Sequence, residues 1–279
     1  MSKLPILLVD TSYVSFYRLF STMTWYKFSH PKEDIPEVCH WIDNNEFMTK
    51  YRKMYLNEID KIRIKYEIPY TNTLFALDCP RDRIWRTLIY PDYKAQRQEK
   101  YSKETWTGGP VLRYSHRELI YELADKHGFK VMKMDYVEGD DIIACIKKHI
   151  RMYNPEQEIV IITNDNDFLQ LGDEHTTLIN LKQKLLCDRS STGNFNRDLQ
   201  IKILCGDKAD NIPKCFKRCG IKTAIKFYEN PELLQRQFEK EPGSKERHEL
   251  NTRLIDFNCI PEHLYDEIIV NYTNLMDDR

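Results

Sequence analysis

The chain has 279 residues, 41% hydrophobic and 12% aromatic, enough to pack a core for one large domain or a domain with a smaller appendage. Its 42 basic and 43 acidic side chains nearly cancel to a formal charge of −1. No run approaches the ~20 apolar residues of a membrane-spanning helix, and the amino-terminal MSKLPILLVDTSYV has too short an apolar run for a secretory signal. Eight cysteines (Cys39, Cys79, Cys145, Cys187, Cys205, Cys215, Cys219, Cys259) lack CxxC spacing, the histidines lack HExxH spacing, and no GxxxxGK[ST] loop occurs; this argues against a disulfide framework, a zinc site and an ATP-driven motor, and for an intracellular, reducing setting.

Residues 4–9, LPILLV, read as a strand ending at Asp10, and Thr11 and Ser12 then open a helix. Residues 23–45 read as loop. Phe47, Tyr51, Met54, Tyr55, Ile59, Ile62 and Tyr66 follow helical spacing and predict a core-packing helix over 46–66. TLFAL, 73–77, is a second strand, ending at Asp78. A basic, aromatic stretch follows and breaks at Gly108-Gly109-Pro110. A helix is predicted over 111–127, a strand over 131–134 (VMKM) and a helix over about 139–150 that begins in an acidic run. IVIIT, 159–163, is a strand leading to Asn164-Asp165-Asn166-Asp167, and TTLINL and KLLC read as two strands around a Lys182-Gln183 turn. After residue 195 the strand signal stops and helices take over. This alternation predicts an α/β fold with a mostly parallel central sheet flanked by helices over 1–195, and a helical C-terminal part over 196–279.

Nine carboxylates arrive in five packets at segment ends: Asp10, Asp78, the run Glu138-Gly139-Asp140-Asp141, Asp165 with Asp167, and Asp207 with Asp210. Segment ends are where open α/β sheets build their sites. One acid at a helix start serves as a cap, and a pair in a turn serves as a turn former. Three acids in four residues exceed that need, because crowded like charges repel unless a cation binds among them. Magnesium prefers oxygen ligands, and two such ions can clamp the attacking and leaving oxygens of a phosphodiester displacement. Setting the nine aside turns the formal charge from −1 to +8, an acidic pocket in a basic body suited to a polyanion. The last packet runs into CGDKADNIPKCFKRCGIKTAIKFY, where Lys214, Lys217, Arg218, Lys222 and Lys226 surround a turn that opens a helix, a phosphodiester holder in form.

The GDxxDNIP segment followed by a KTA helix resembles the helix–three-turn–helix (about 203–228) of the flap endonuclease and 5′-nuclease superfamily. LLVDTS, FALD, VEGDD and TNDNDF follow that family's order over roughly residues 4 to 230, closest to its phage and bacterial 5′-3′ exonuclease branch. The resemblance implies a PIN-like nuclease core with a helical arch in the region 86–110. It assigns Asp10, Asp78, Glu138 and Asp140 to a first metal, Asp165, Asp167, Asp207 and Asp210 to a second, and Asp141 to direct or water-mediated ligation. Lys94 and Arg86 would contact the scissile phosphate as the catalytic cations, and Tyr93 and Tyr90 would stack on an unpaired base. Lys214, Lys217, Arg218, Gly220, Lys222 and Thr223 would hold duplex DNA. The family's glycine-rich potassium loop keeps only Gly220 here, which leaves potassium open.

The expected activity is a magnesium-dependent nuclease, with manganese substituting, that cuts DNA at a 5′ single-stranded flap or end; an RNA–DNA hybrid is a further partner. No sliding-clamp motif occurs. The alternatives are a PIN-type ribonuclease, which lacks the basic helix–turn–helix, and a non-catalytic junction-binding scaffold. The segments 23–68 and 231–279 carry no assignable job.

Overall fold

The computed structural model describes residues 4–32, 39–97 and 106–277. Five strands, β1 (Ile6–Asp10), β2 (Thr73–Leu77), β3 (Lys130–Lys133), β4 (Ile159–Ile162) and β5 (Thr176–Ile179), form one sheet in the order β3-β2-β1-β4-β5, every neighbouring pair parallel. Parallel neighbours require crossovers, which cover both faces and explain why these strands are nearly continuous apolar runs. The order reverses at β1, and a reversal point is where an open α/β sheet leaves a crevice beyond its strand ends.

The helices are α1 (Thr11–Ser29), α2 (Asn45–Met54), α3 (Asn57–Lys65), α4 (Trp85–Ile89), α5 (Gly109–Tyr114), α6 (Ile120–His127), α7 (Gly139–Tyr153), α8 (Phe195–Cys205), α9 (Ile221–Glu229), α10 (Pro231–Lys240), α11 (Ser244–Ile255) and α12 (Glu262–Asp277). Strand residues alternate between faces. Leu7, Val9, Phe75, Leu77, Val160 and Ile162 pack with the side chains of α1 to α3, α5 and α6. Leu8, Leu74, Ala76, Met132 and Ile161 pack with α7 and with Phe257, Leu264, Ile268 and Tyr272. At about 1.5–3 kcal/mol per fully buried large apolar side chain, both faces are well anchored. The C-terminal segment 231–279, without a job from sequence, therefore supplies part of the sheet's own core through α12. Among the described residues no helix is long and apolar enough to cross a membrane.

The segment 23–29, expected as loop, continues α1. Leu19, Thr22 and Tyr26 are buried at helical spacing, and Tyr26 meets Trp41 edge-on at 5.6 Å. The helix expected over 46–66 is two helices broken at Tyr55 and Leu56. Both residues are buried, and the break between them lets α2 and α3 each turn an apolar face, Phe47 and Tyr51 on one and Ile59 and Ile62 on the other, into the same core. The strand expected at KLLC reduces to a single bridge between Ile179 and Leu185. Asn180 Oδ1 accepts the backbone N–H groups of Lys182 (2.9 Å) and Lys184 (3.1 Å), closing the turn, and the chain then coils at Cys187–Arg189. Of the expected arch, residues 98–105 lie outside the described residues.

Candidate active site

Parallel strands place their carboxyl ends on one edge. β1 ends in Asp10, β2 delivers Asp78 one residue later, and β4 leads into Asp165 and Asp167. Asp10 caps α1, its carboxylate accepting the Tyr13 N–H (3.0 Å) and the Thr163 hydroxyl (2.9 Å). Asp78 accepts the Ser12 hydroxyl (2.6 Å) and the Gly139 N–H (2.7 Å). Gly139 allows a close approach there: a Cβ would sit 3.0 Å from the Ala76 carbonyl oxygen and 3.2 Å from Asp78 Oδ1, tight enough that the neighbours would have to give by a few tenths of an ångström. The start of α7 is thereby pressed against the end of β2, bringing Glu138, Asp140 and Asp141 to the same edge. The turn after α8 adds Asp207 and Asp210. Its Gly206, at φ +67, lies where a Cβ would meet the Pro213 oxygen at 2.4 Å.

The acids gather into two trios, Glu138 with Asp140 and Asp141, and Asp167 with Asp207 and Asp210, each offering oxygens within 4.8 Å of one another. Asp10, Asp78 and Asp165 lie on the same edge and belong to neither trio. Asp165 is exposed and accepts the Asp167 N–H at 3.0 Å. Lys94 stands between the trios, 2.5 Å from Glu138 Oε1 and 3.8 Å from Asp210 Oδ2. Two clefts flank it. One, of about 730 Å³, is lined by Asp78, Arg81, Lys94, Arg97 and Glu138; the other, of about 770 Å³, by Asp10, Ser12, Asp165, Asp167, Lys202 and Asp207, and Arg97 borders both.

Electrostatics divide the acids. Burial pushes Asp10 up to about 7, with the charges of Asp78 and Asp165 adding. Burial, Glu138 and Asp141 hold Asp140 well above the carboxylate range, and its Oδ1 is buried without a hydrogen-bond partner. Burial would also raise Glu138, but Lys94 and Arg86 outweigh it and bring it down to about 2. Lys202 likewise outweighs burial at Asp207, 2.7 Å away, and lowers it, whereas burial leaves Asp167 raised although the same ammonium pairs with it. A cluster of all-oxygen donors, with one neutralised by its neighbours and an orphan buried oxygen, fits hard divalent cations.

Several expected roles meet a different placement. Arg86 is 1% exposed: it donates to the Leu254 carbonyl (2.8 Å), to Glu138 (3.1 Å) and to Asp141 (2.8 Å), so it is a buried counter-ion with its fork directed inward and not a phosphate contact. Tyr93 is also buried, its hydroxyl donating to Glu138 (3.0 Å), which removes its ring from any base. Asp141 pairs with Arg86 and accepts the Trp85 indole N–H (3.1 Å) on Oδ2, while its Oδ1, 2.7 Å from the guanidinium, is buried without a hydrogen-bond partner. Tyr90 is half-buried and donates to the Asn211 carbonyl (3.2 Å). Lys214, Lys217, Arg218, Gly220 and Lys222 are exposed on the turn between α8 and the start of α9, with Thr223 half-buried; beneath them Leu204, Cys215, Phe216, Cys219, Ala224 and Phe227 form a small core. Sequence reasoning missed Ser12, Thr163 and Lys202. Ser12 and Thr163 adjoin the acid motifs and were open to notice. Lys202, on α8, had no local signal.

Fold and site together define a class: a parallel α/β domain, covered on both faces, with a carboxylate centre at its strand ends, the build suited to metal-assisted hydrolysis. Residues 5–196 match the family model of the 5′-3′ exonuclease N-terminal resolvase-like domain, and the chain belongs to that family. It is 28% identical over 246 residues to ribonuclease H of Enterobacteria phage T4, covering 81% of this chain and 78% of that protein. It is 31% identical over 184 residues to DNA polymerase I of Streptococcus pneumoniae strain R6, covering 63% of this chain and 20% of that protein. Among solved structures, the T5 5′-exonuclease with divalent metal ions (zinc) bound superposes with a TM-score of 0.70 at 17% identity, over 98% of this chain and 100% of that one. A T5 D15 flap endonuclease in a pseudo-enzyme-product complex with DNA and metal ions superposes at 0.68 with 16% identity, over 98% and 100%.

Proposed function

We propose that the chain is a metal-dependent 5′ nuclease that hydrolyses one DNA phosphodiester near the junction of a duplex with a 5′ single strand, leaving a 5′ phosphate and a 3′ hydroxyl. The observation that carries this reading is the pair of carboxylate trios at one sheet edge with the Lys94 ammonium between them. Asp10, Asp78, Glu138 and Asp140 would hold one divalent cation, and Asp165, Asp167, Asp207 and Asp210 a second, magnesium by preference with manganese substituting. Asp141, paired with Arg86, would reach the first cation directly or through a water. Such ions supply an acidified water and charge neutralisation at the leaving oxygen. Ser12, Thr163 and the Gly139 N–H orient Asp10 and Asp78 from behind, as supporting groups do around ligating carboxylates. Lys94 exchanges its bond to Glu138 for a non-bridging oxygen of the scissile phosphate and holds it between the trios. Tyr90 offers a stacking face to an unpaired base. The exposed lysines of 214–222 grip the duplex backbone, and the helical segment 203–228 thereby acts as the duplex-binding arm, while α12 of the helical part 196–279 stays with the core of the sheet.

A second reading differs only in the strand cut: RNA annealed to DNA, favoured by the name of the T4 relative. Cleavage of matched 5′-flap substrates carrying DNA or RNA, mapped to the nucleotide in magnesium, decides between them. Asp140→Ala and Asp165→Ala proteins are expected to bind flap DNA and not cut it. Cleavage at the wild-type rate by either would overturn the mechanism, and binding without turnover in magnesium or manganese by the wild-type chain would identify a scaffold.

A further inference from the structure

Lys94 adopts a left-handed backbone conformation, φ +55, and Asn211 another, φ +60, and the two segments meet. A lysine in that region is held there by its surroundings, because an L side chain crowds its own carbonyl; asparagine tolerates it better. The Asn211 side chain spans the turn around Lys94: its Nδ2 donates to the Asp92 carbonyl (2.9 Å), and its Oδ1 accepts from Gln96 Nε2 (2.8 Å). Its backbone carbonyl accepts the Tyr90 hydroxyl. One residue earlier, the Asp210 carbonyl accepts the Lys94 N–H (2.9 Å), and its carboxylate pairs with Arg97 at 2.5 Å. Positions 90, 92, 94, 96 and 97 are thus all tied to two consecutive residues. Those two residues close the acid turn that continues into the exposed lysines.

We infer that Asn211 is a positioning residue for Lys94: its amide clasps the chain on either side, at Asp92 and Gln96, and sets the left-handed turn that places the Lys94 ammonium between the two carboxylate trios. The inference rests on the nuclease reading above, in which Lys94 holds the scissile phosphate. Neither half of the clasp is replaceable by backbone alone, since Asp92 offers a carbonyl and Gln96 a side-chain donor. The amide at 211 presents its donor and its acceptor on separate atoms, so it meets Asp92 and Gln96 at the same time.

The test uses the full chain and a 5′-flap DNA duplex under single-turnover conditions in magnesium. Asn211→Gly removes the amide while keeping the positive φ free of strain. It is expected to slow cleavage on the order of 10²-fold, the scale of a misplaced catalytic group, with the Kd for flap DNA within about threefold of wild type. Gln96→Ala, which removes one arm, should lie between. In the Lys94→Ala background, Asn211→Gly should add nothing further, because there is no ammonium left to place. Full multiplication of the two defects, equal losses of rate and binding, or an undiminished rate would each overturn the inference. If Asn211→Gly does not fold, Gln96→Ala and its pairing with Lys94→Ala decide by the same criteria. A wild-type chain that fails to cut would instead sink the nuclease reading itself, a result separable from any outcome at Asn211.

Discussion

Arg86→Met separates two roles for the same cation. The substitution keeps an apolar stem against Trp85, whose ring lies 4.6 Å from the guanidinium, and removes the charge. Arg86 is 1% exposed, so its loss leaves Glu138 with one counter-charge fewer, Asp141 with only the indole and backbone donors, and the Leu254 carbonyl without its partner. Breaking a buried ion pair from one side costs about 3–5 kcal/mol, and an orphaned buried carbonyl adds roughly 1–3 kcal/mol. Partial protonation of the acids offsets some of this, for a net of about 4 kcal/mol. At roughly 2–4 °C per kcal/mol for a chain of this size, Tm should fall by about 10 °C in a metal-free thermal melt followed by circular dichroism. Arg86→Lys should fall in between, because a point charge cannot serve both carboxylates and a carbonyl with a planar fork. Asp141→Asn in the same chain should cost less on top of Arg86→Met than it does alone. An unchanged Tm with cleavage collapsed would refute the reasoning and return Arg86 to the substrate.

Lys94→Ala should slow cleavage much more than it weakens flap binding; equal losses in rate and Kd would reduce Lys94 to an anchor. Magnesium at 100 times its Kd should stabilise the wild-type fold by about 2.7 kcal/mol in thermal melts, and Asp140→Asn should abolish most of that shift; a shift retained in full would place the ion elsewhere. Gly206→Ala, at φ +67 and with a Cβ 2.4 Å from the Pro213 oxygen, should cost at least about 2 kcal/mol in denaturant titrations, and a neutral effect would contradict the geometry of the acid turn. Asp173 pairs with Lys147 (2.6 Å) and Arg151 (3.0 Å), and although burial alone would raise its pKa, these partners and the Thr176 hydroxyl bring it down to about 2. Because its folded value lies below its unfolded one, it stabilises above about pH 4 and loses that contribution as pH falls toward about 2. Asp173→Asn should therefore cost about 1 kcal/mol or less at pH 7, given its solvent exposure, with the difference vanishing near pH 2; a gap that persists there would refute the assignment.

The acidic edge was legible because each aspartate adjoins its own strand signal: LLVD, FALD and IVIIT announce both the strand and the acid at its end. The parallel sheet followed from the same spacing. What resisted reading was partnership at a distance. Arg86 and Tyr93 look like surface side chains in a basic stretch, and only Glu138, 52 and 45 positions on, explains their burial. Lys202 sits on an amphipathic helix with nothing local to mark it, yet it holds Asp167 and Asp207. In the fold, α1 overran its expected end because Tyr26 finds Trp41, a contact within a stretch whose mixed composition shows no periodicity of its own. The KLLC strand failed because pairing needs a neighbour beyond Ile179, and the Asn180 turn offers one bridge only.

The bond from Arg86 to the Leu254 carbonyl joins residues 168 positions apart. On a ribosome adding about 5–20 residues per second, that separation is roughly 10–30 s of synthesis. Throughout that interval the nascent chain has Asp10 and Asp78, the Glu138 run joins them about a third of the way along, and Asp207, Asp210 and the α11 carbonyl arrive later still. A centre assembled from such non-local contacts closes slowly and last. The acidic edge therefore lacks the tie from Arg86 to α11 until residue 254 has been made, and its earlier acids stand without that brace for most of the interval.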